Sequence, residues 1–180
     1  MKLLTFGHSN HSFDKFIRLL EANGVMTLVD VRSAPASRYN PHFNKSNLER
    51  ELPRREIQYV FAGKYLGGRP SDPTCYKSKT LPPEGADYLH EVDYAEVMKR
   101  EWFVKGIARL LEIADEGTAA IMCSEEDPAE CHRHHLIAKY ILREHPEVLV
   151  QHVRGDGVVF NAASLLKSVD EPEGEQPPLL

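Results

Sequence analysis

Apolar positions along this chain switch between two spacings, and the switching reads as strand, helix, strand. Largely apolar runs at 3–6 (Leu-Leu-Thr-Phe), 27–31 (Thr-Leu-Val-Asp-Val), 58–61, 119–123 (Ala-Ala-Ile-Met-Cys) and 148–150 are too short for helices. They show no polar alternate face, so they predict five strands buried on both sides. Between them the spacing is helical. Phe13, Phe16, Ile17 and Leu20 share one face of a helix that starts at Ser12 or Phe13, runs to Ala22 and stops at Asn23-Gly24. Further helices are predicted over 46–52, 94–100, 104–114 and 162–169, and Leu136, Ile137, Tyr140 and Ile141 repeat at helical spacing after the fourth strand. Residues 64–84 hold too much Gly, Pro and Ser for regular structure and predict a long loop, either functional or disordered. Buried strands alternating with helices predict an α/β fold. The expectation is a single three-layer domain over 1–169, a mostly parallel open sheet of about five strands with helices on both faces. An acidic, Pro-rich loose tail is expected at 170–180.

Composition narrows the class without naming a function. The 180 residues are 42% hydrophobic and 27% charged, ordinary for a soluble domain with one core. No apolar run approaches the roughly 20 residues that span a bilayer, and Gly, His and Ser interrupt the first ten residues before a signal-peptide core develops. These features predict a cytoplasmic protein with no membrane partner. Three cysteines in no framework spacing predict reduced thiols rather than disulfides.

Charge is uneven. The net charge is −5, yet residues 32–79 carry ten Lys or Arg against four Asp or Glu, a local +6 that leaves −11 elsewhere. Tyr39, Phe43, Tyr59, Phe61, Tyr65 and Tyr76 fall in the same stretch. Cations interleaved with aromatics suit a phosphate-bearing small molecule such as a nucleotide, or single-stranded nucleic acid. A solvated charged face over core aromatics is the equally weighted alternative. Oligomeric state is left open.

Residues 119–142 are the richest in chemistry. A buried strand ends at Cys123, an acidic turn follows, and Cys131-His132-Arg133-His134-His135 opens a helix. Asp127 suits the N-cap, Pro128 the first helical position and Glu130 the third, which places Cys131, His132 and Arg133 in the first turn. Unpaired N–H groups and the positive dipole end there favour a thiolate or a bound anion. Cys123 and Cys131 are separated by seven residues, outside common structural zinc spacing. Cys123, Cys131, His132 and His135 therefore form the weakest, metal-ligating reading, and no cofactor is expected.

In open α/β sheets ligands bind beyond the carboxyl ends of the strands. Three predicted strands end there in polar residues: His8-Ser9, Asp30-Val31-Arg32 and Cys123-Ser124-Glu125. Glu125, Asp30, Cys131 and His132 are the candidate catalytic groups, with Glu125 or Asp30 in acid-base work and Cys131 as nucleophile or helix-terminal donor. Arg32, Arg38 and Arg133 are candidate anion grips, joined by His8, Ser9 and Ser37 and by Gly67-Gly68, where backbone can approach a ligand. Packing cysteines and an exposed acidic turn are the bland readings of the same residues.

Four blocks together carry a family resemblance: GHS at 7–9, DVRSAPASR at 30–38 with Phe43-Asn44 following, YLGG at 65–68, and MCSEEDPAECHRHHLIA at 122–138. Over residues 3 to about 155 the chain resembles the bacterial and archaeal domain of unknown function 488 family. Met122 and Ser124 stand where Leu and Ala are more usual. The resemblance implies that His8, Ser9, Asp30, Arg32, Pro35, Ser37, Arg38, Gly67, Gly68, Cys123, Glu125, Cys131, His132 and Arg133 form one site, and it implies no reaction. Asp30-Val31-Arg32 is also similar to the strand end of rhodanese-type sulfurtransferases, which cradle their cysteine in a loop opening a helix. The leading expectation is an enzyme acting on a nucleotide or nucleic acid at the carboxyl edge of the sheet. A Cys131-dependent transferase or redox protein with Cys123 as resolving partner comes second, and a non-catalytic nucleotide-binding or sensor module third.

Overall fold

Six strands form one sheet in the computed structural model, which describes residues 1–167. They are β1 (Lys2–Gly7), β2 (Thr27–Asp30), β3 (Gln58–Phe61), β4 (Ala119–Cys123), β5 (Leu149–Val153) and β6 (Val159–Asn161), in the order β3-β2-β4-β1-β5-β6. The first five are parallel to their neighbours, and β6 returns antiparallel beside β5. The α/β expectation holds with one strand more than predicted. That strand is half of a hairpin closed by Arg154 N–H donating to the Val158 carbonyl (2.8 Å), with Gly157 at φ 89°. Gly155-Asp156-Gly157 is hairpin-turn chemistry, but a three-residue strand is too short for a period to register.

The α-helical elements among the described residues are α1 (Phe13–Ala22), α2 (Lys45–Glu51), α3 (Gly63–Leu66), α4 (Tyr88–Glu91), α5 (Tyr94–Val97), α6 (Glu101–Glu116), α7 (Lys139–Glu144) and α8 (Ser164–Lys167). Of the helix predicted over 162–169, the described part is α8, and the tail at 170–180 lies outside the described residues. Ser12 caps α1, its Oγ accepting from Lys15 N–H at 3.3 Å. Phe16, Ile17 and Leu20 of α1 are buried, each contributing about 1.5–3 kcal/mol of apolar transfer.

Successive strand residues point to opposite faces. Leu4, Phe6, Leu28 and Met122 therefore join α1 and Leu48 of α2 in one core. Leu3, Val29 and Ile121 join α6 and the helix after β4 in the other. Two covered faces are why the strands read as unbroken apolar runs. The stretch 64–84 is more structured than its composition predicts. It begins within α3, contains a 3₁₀ turn at Pro73–Cys75, and buries Tyr76, whose hydroxyl donates to the Pro70 carbonyl at 2.7 Å.

One local prediction needs correcting. Asp127 does cap a helical turn, its Oδ1 accepting from Ala129 N–H at 2.8 Å, but that turn is a separate 3₁₀ piece, Pro128–Glu130. Cys131 is extended (φ −144°, ψ 140°) and breaks the run. The long helix starts after it, with His134 and His135 N–H donating to the Cys131 carbonyl at 3.0 and 3.2 Å. Cys131 is thus the cap of that helix, not a member of its first turn. The helix opens as a π-helical segment, Arg133–Ala138, and continues as α7.

Candidate functional site

The parallel register brings the reactive strand ends to one edge. Gly7 lies beside Cys123, and Asp30 beside Met122. His8 N–H then donates to the Cys123 carbonyl (3.0 Å) and Val31 N–H to the Met122 carbonyl (3.1 Å). At this edge lies a cavity of about 520 Å³, walled by the segments after β2 and β4, by Gly68-Arg69 and by Tyr88 and Tyr94. No helix among the described residues is long and apolar enough to cross a membrane.

Cys123, Cys131 and His132 meet at the cavity wall, all three buried. His132 Nε2 lies 3.2 Å from the Val31 carbonyl, an acceptor only, so Nε2 carries a proton and Nδ1 is the nitrogen turned to the sulfurs. Nδ1 stands 3.6 Å from Cys123 Sγ and 3.9 Å from Cys131 Sγ. Cys131 Sγ also receives Arg133 N–H at 3.5 Å, one of the free donors in the first turn of the helix it caps. Burial opposes ionisation of Cys131. Hydrogen bonding from the Cys123 thiol and with His132, and the field of the Arg133 guanidinium, outweigh it and hold Cys131 well below the ordinary thiol range. Cys123 is pushed up, first by donating to Cys131 and then by burial. All three cysteines are free. Gly68 completes this wall by having no side chain: a Cβ there would sit 2.7 Å from His132 Cγ and Nδ1. Gly67 packs as closely against Ser33 Oγ.

Behind the cavity lies a second buried constellation. Asp30 is 0% exposed and Arg32 5%. Asp30 accepts from Arg32 Nε (2.9 Å), Arg32 Nη2 (2.6 Å), Arg32 N–H (3.1 Å) and the Tyr59 hydroxyl (2.8 Å). The remaining donors of Arg32 reach the Phe43 carbonyl (2.7 Å) and His8 Nε2 (3.1 Å). Nδ1 of His8 donates to the Ser9 carbonyl (2.8 Å), and the ring stacks on Phe43 at 4.3 Å. Burial lowers the His8 pKa to about 4, so the ring is neutral and able to accept from Arg32. Asp30, Arg32 and His8 therefore spend these polar atoms on one another and on Tyr59, Phe43 and Ser9. Arg32 lines the cavity, while Asp30 does not.

The other predicted grips are placed differently. Arg133 is 0% exposed and clamps the turn after β4, donating to the Glu125 and Glu126 carbonyls. Among the described residues it pairs with no carboxylate, and its Nε has no partner. Arg38 lies outside the cavity and stacks on Tyr39, its neighbour, at 4.8 Å. Ser37 Oγ accepts from Tyr39 and Asn40 N–H and shapes its own turn. Ser9 stands at φ 47° with its N–H on the Ser124 carbonyl (2.8 Å). Glu125 is exposed and lines the cavity. His135 is occupied with the Ala129 carbonyl at 2.5 Å and lies outside the Cys-His cluster. Much of the basic stretch 32–79 is paired in place, with Lys45 on Glu49, Arg50 and Arg54 on Glu51, and Lys79 on Asp93.

Sequence reading missed a second cation that lines the cavity beside Arg32. Arg69 is exposed, sits 4.5 Å over the Tyr88 ring, and has no carboxylate partner among the described residues. Its N–H donates to Ser33 Oγ at 3.0 Å, tying the glycine loop to the segment after β2. Tyr88 and Tyr94 were also missed: α4 is a single turn with no period to read, and the helix predicted over 94–100, of which α5 is the first turn, gave no sign that Tyr94 faces the cavity. The Gly-Gly-Arg sequence was the available signal, glycines that allow close approach followed by a cation.

No curated protein and no solved structure matches this chain. A family model, Domain of unknown function DUF488, matches residues 12–141 of the 180, a span that includes the 30–38 block, both glycines, Cys123 and Cys131-His132. The chain belongs to the DUF488 family.

Proposed function

We propose that this protein is a thiol-dependent enzyme in which Cys131 attacks a small ligand bearing an anionic group, a phosphate or nucleotide in kind. One observation carries the reading: a nucleophile, a base with its tautomer fixed by a third group, and a second thiol converge on the wall of one cavity. His132 Nδ1 takes the Cys131 proton while Nε2–H stays on the Val31 carbonyl. The thiolate is held by the Cys123 S–H, the Arg133 N–H and the buried guanidinium beneath it. It forms a bond to the electrophilic centre of the ligand, and the leaving group departs with the proton held on Nδ1. Water or a second acceptor then frees Cys131. Arg69 over Tyr88 is suited to the anionic end of the ligand, and Glu125, exposed on the cavity wall, to exchanging a second proton. Single-stranded nucleic acid is the alternative ligand, resting on the net positive charge of the 32–79 stretch, of which Lys45, Arg50, Arg54 and Lys79 are ion-paired. A reducing, cytoplasmic setting belongs to this reading, because the site needs its thiols free.

The test is alkylation of the full chain by iodoacetamide across pH 5 to 9, with modified cysteines mapped by mass spectrometry. Cys131 is expected to label well below the ordinary thiol pKa of about 8.5, and His132→Gln to move that profile upward. A Cys131 profile indistinguishable from that of a free thiol would overturn the reading. A thermal-shift panel of phosphates and nucleotides, with Arg69→Ala as control, tests the ligand side.

A further inference from the structure

The three donor atoms on the cavity wall have a spacing that a nucleophile and its base do not require. In tetrahedral zinc sites Zn–S is about 2.3 Å and Zn–N about 2.0–2.1 Å, which puts neighbouring sulfur and nitrogen ligands about 3.5 Å apart and two sulfurs about 3.8 Å apart. Cys123 Sγ and His132 Nδ1 are 3.6 Å apart, and Cys131 Sγ and His132 Nδ1 3.9 Å. All three atoms lie within 4.8 Å of one another. The two nitrogen–sulfur distances are within a few tenths of an ångström of that geometry, and the sulfur pair within about 1 Å of it.

The surroundings suit the same purpose. The non-ligating nitrogen of His132 donates to a backbone carbonyl, the outer contact that orients ligating imidazoles. Gly68 leaves the His132 ring unhindered. Three protein ligands are present where a closed structural site has four, and the free corner opens on the cavity that the ligands line. Two sulfurs and an imidazole select a thiophilic ion and exclude the oxygen-seeking Mg²⁺ and Ca²⁺. His135, the fourth candidate by sequence, is engaged elsewhere.

We infer that Cys123, Cys131 and His132 form a binding site for one thiophilic divalent cation, Zn²⁺ in kind, with a fourth position facing the cavity. Loading the ion takes up both thiols, which give their protons to solvent, and the base lone pair. The metal-loaded and thiol-reactive states are therefore mutually exclusive. The inference stands on donor geometry alone, so it survives or fails apart from the nucleophile reading.

The experiment is an anaerobic Co²⁺ titration of the reduced, chelator-stripped full chain, with iodoacetamide labelling of Cys131 measured alongside. A sulfur-to-cobalt charge-transfer band with tetrahedral visible absorption, saturating at one equivalent and bleached by Zn²⁺, is expected. Cys123→Ser and Cys131→Ser should each lose about half of the sulfur band, one of two thiolate ligands, and Cys75→Ser should keep it. Zn²⁺ should slow Cys131 labelling about tenfold or more, as full occupancy of its sulfur requires. No sulfur band in folded wild type overturns the inference, and this holds even if a serine variant fails to fold. A band retained at full strength in both Cys123→Ser and Cys131→Ser also overturns it. Rapid labelling of metal-free Cys131 without a cobalt band would leave the thiol reading standing and remove the metal site. A band in a protein whose metal-free Cys131 labels like a free thiol would do the reverse.

Discussion

Replacing Asp30 with Asn separates scaffold from chemistry at the end of β2. The carboxylate accepts from four donors, three of them on Arg32. An Asn of the same shape keeps one oxygen and, in either orientation, turns its amide N–H groups toward an Arg32 guanidinium N–H, so donors face donors. It also leaves the Arg32 charge, 5% exposed, without its counter-ion. Breaking a buried pair from one side costs about 3–5 kcal/mol. Against a total stability of about 5–15 kcal/mol this is a large fraction, and for a chain of this length it lowers Tm by roughly 6–20 °C. The assay is urea unfolding at pH 7 of wild type, Asp30→Asn, Arg32→Met and the double variant Asp30→Leu/Arg32→Met. If the pair is scaffold, each single variant falls by that amount and the double recovers a substantial part, because no charge is left stranded. The double variant should also label Cys131 as wild type does. Single losses under about 1 kcal/mol, or a double loss equal to the sum of the singles, would refute the reasoning and return Asp30 to the list of acid-base candidates.

Three further outcomes follow from the same geometry. Gly68→Ala places a methyl 2.7 Å from His132 Nδ1; it should cost about 1–3 kcal/mol by overpacking and slow Cys131 alkylation, and unchanged alkylation in the folded variant would detach His132 from Cys131. Burial lowers the pKa of His8 and His134 from 6.5 to about 4 and that of His152 to about 3. The unfolded chain therefore binds more protons than the folded one below pH 6.5. Stability should be intact above that value and fall as pH drops toward 4, by on the order of 3 kcal/mol for one such histidine taken fully through its shift. Chemical unfolding at pH 7, 6 and 5 checks the sign, and a flat profile would contradict the buried neutral state of these rings. Arg69→Ala, at an exposed position without an ion pair, should leave stability within about 0.5 kcal/mol while removing any thermal shift that phosphate ligands give wild type.

The pattern of apolar residues was enough to establish the α/β class and five of the six strands, and Asp127-Pro128 to mark a capped turn, because these depend on interactions a few residues apart. The convergence of His8, Asp30 and Cys123 at one edge was legible too, since parallel strands joined by helices bring their carboxyl ends together. The partners those side chains chose were not legible. Arg32 and Arg133 read as free cations, and only the packed structure turns one toward Asp30 and the other toward the carbonyls of 125 and 126. Cys131 read as a first-turn residue because Asp127 and Pro128 make a plausible helix start. The break at Cys131 is a tertiary choice that sets its sulfur beside Cys123 and His132. Sequence spacing argued only against a common structural zinc site for two cysteines separated by seven residues. A strand end and a helix cap nonetheless meet wherever the sheet order places them, and β4 lies between β2 and β1. Local propensity thus fixed what each segment is, while long-range burial, which must pair every polar group it encloses, decided which of the candidate residues face the cavity and which hold it up.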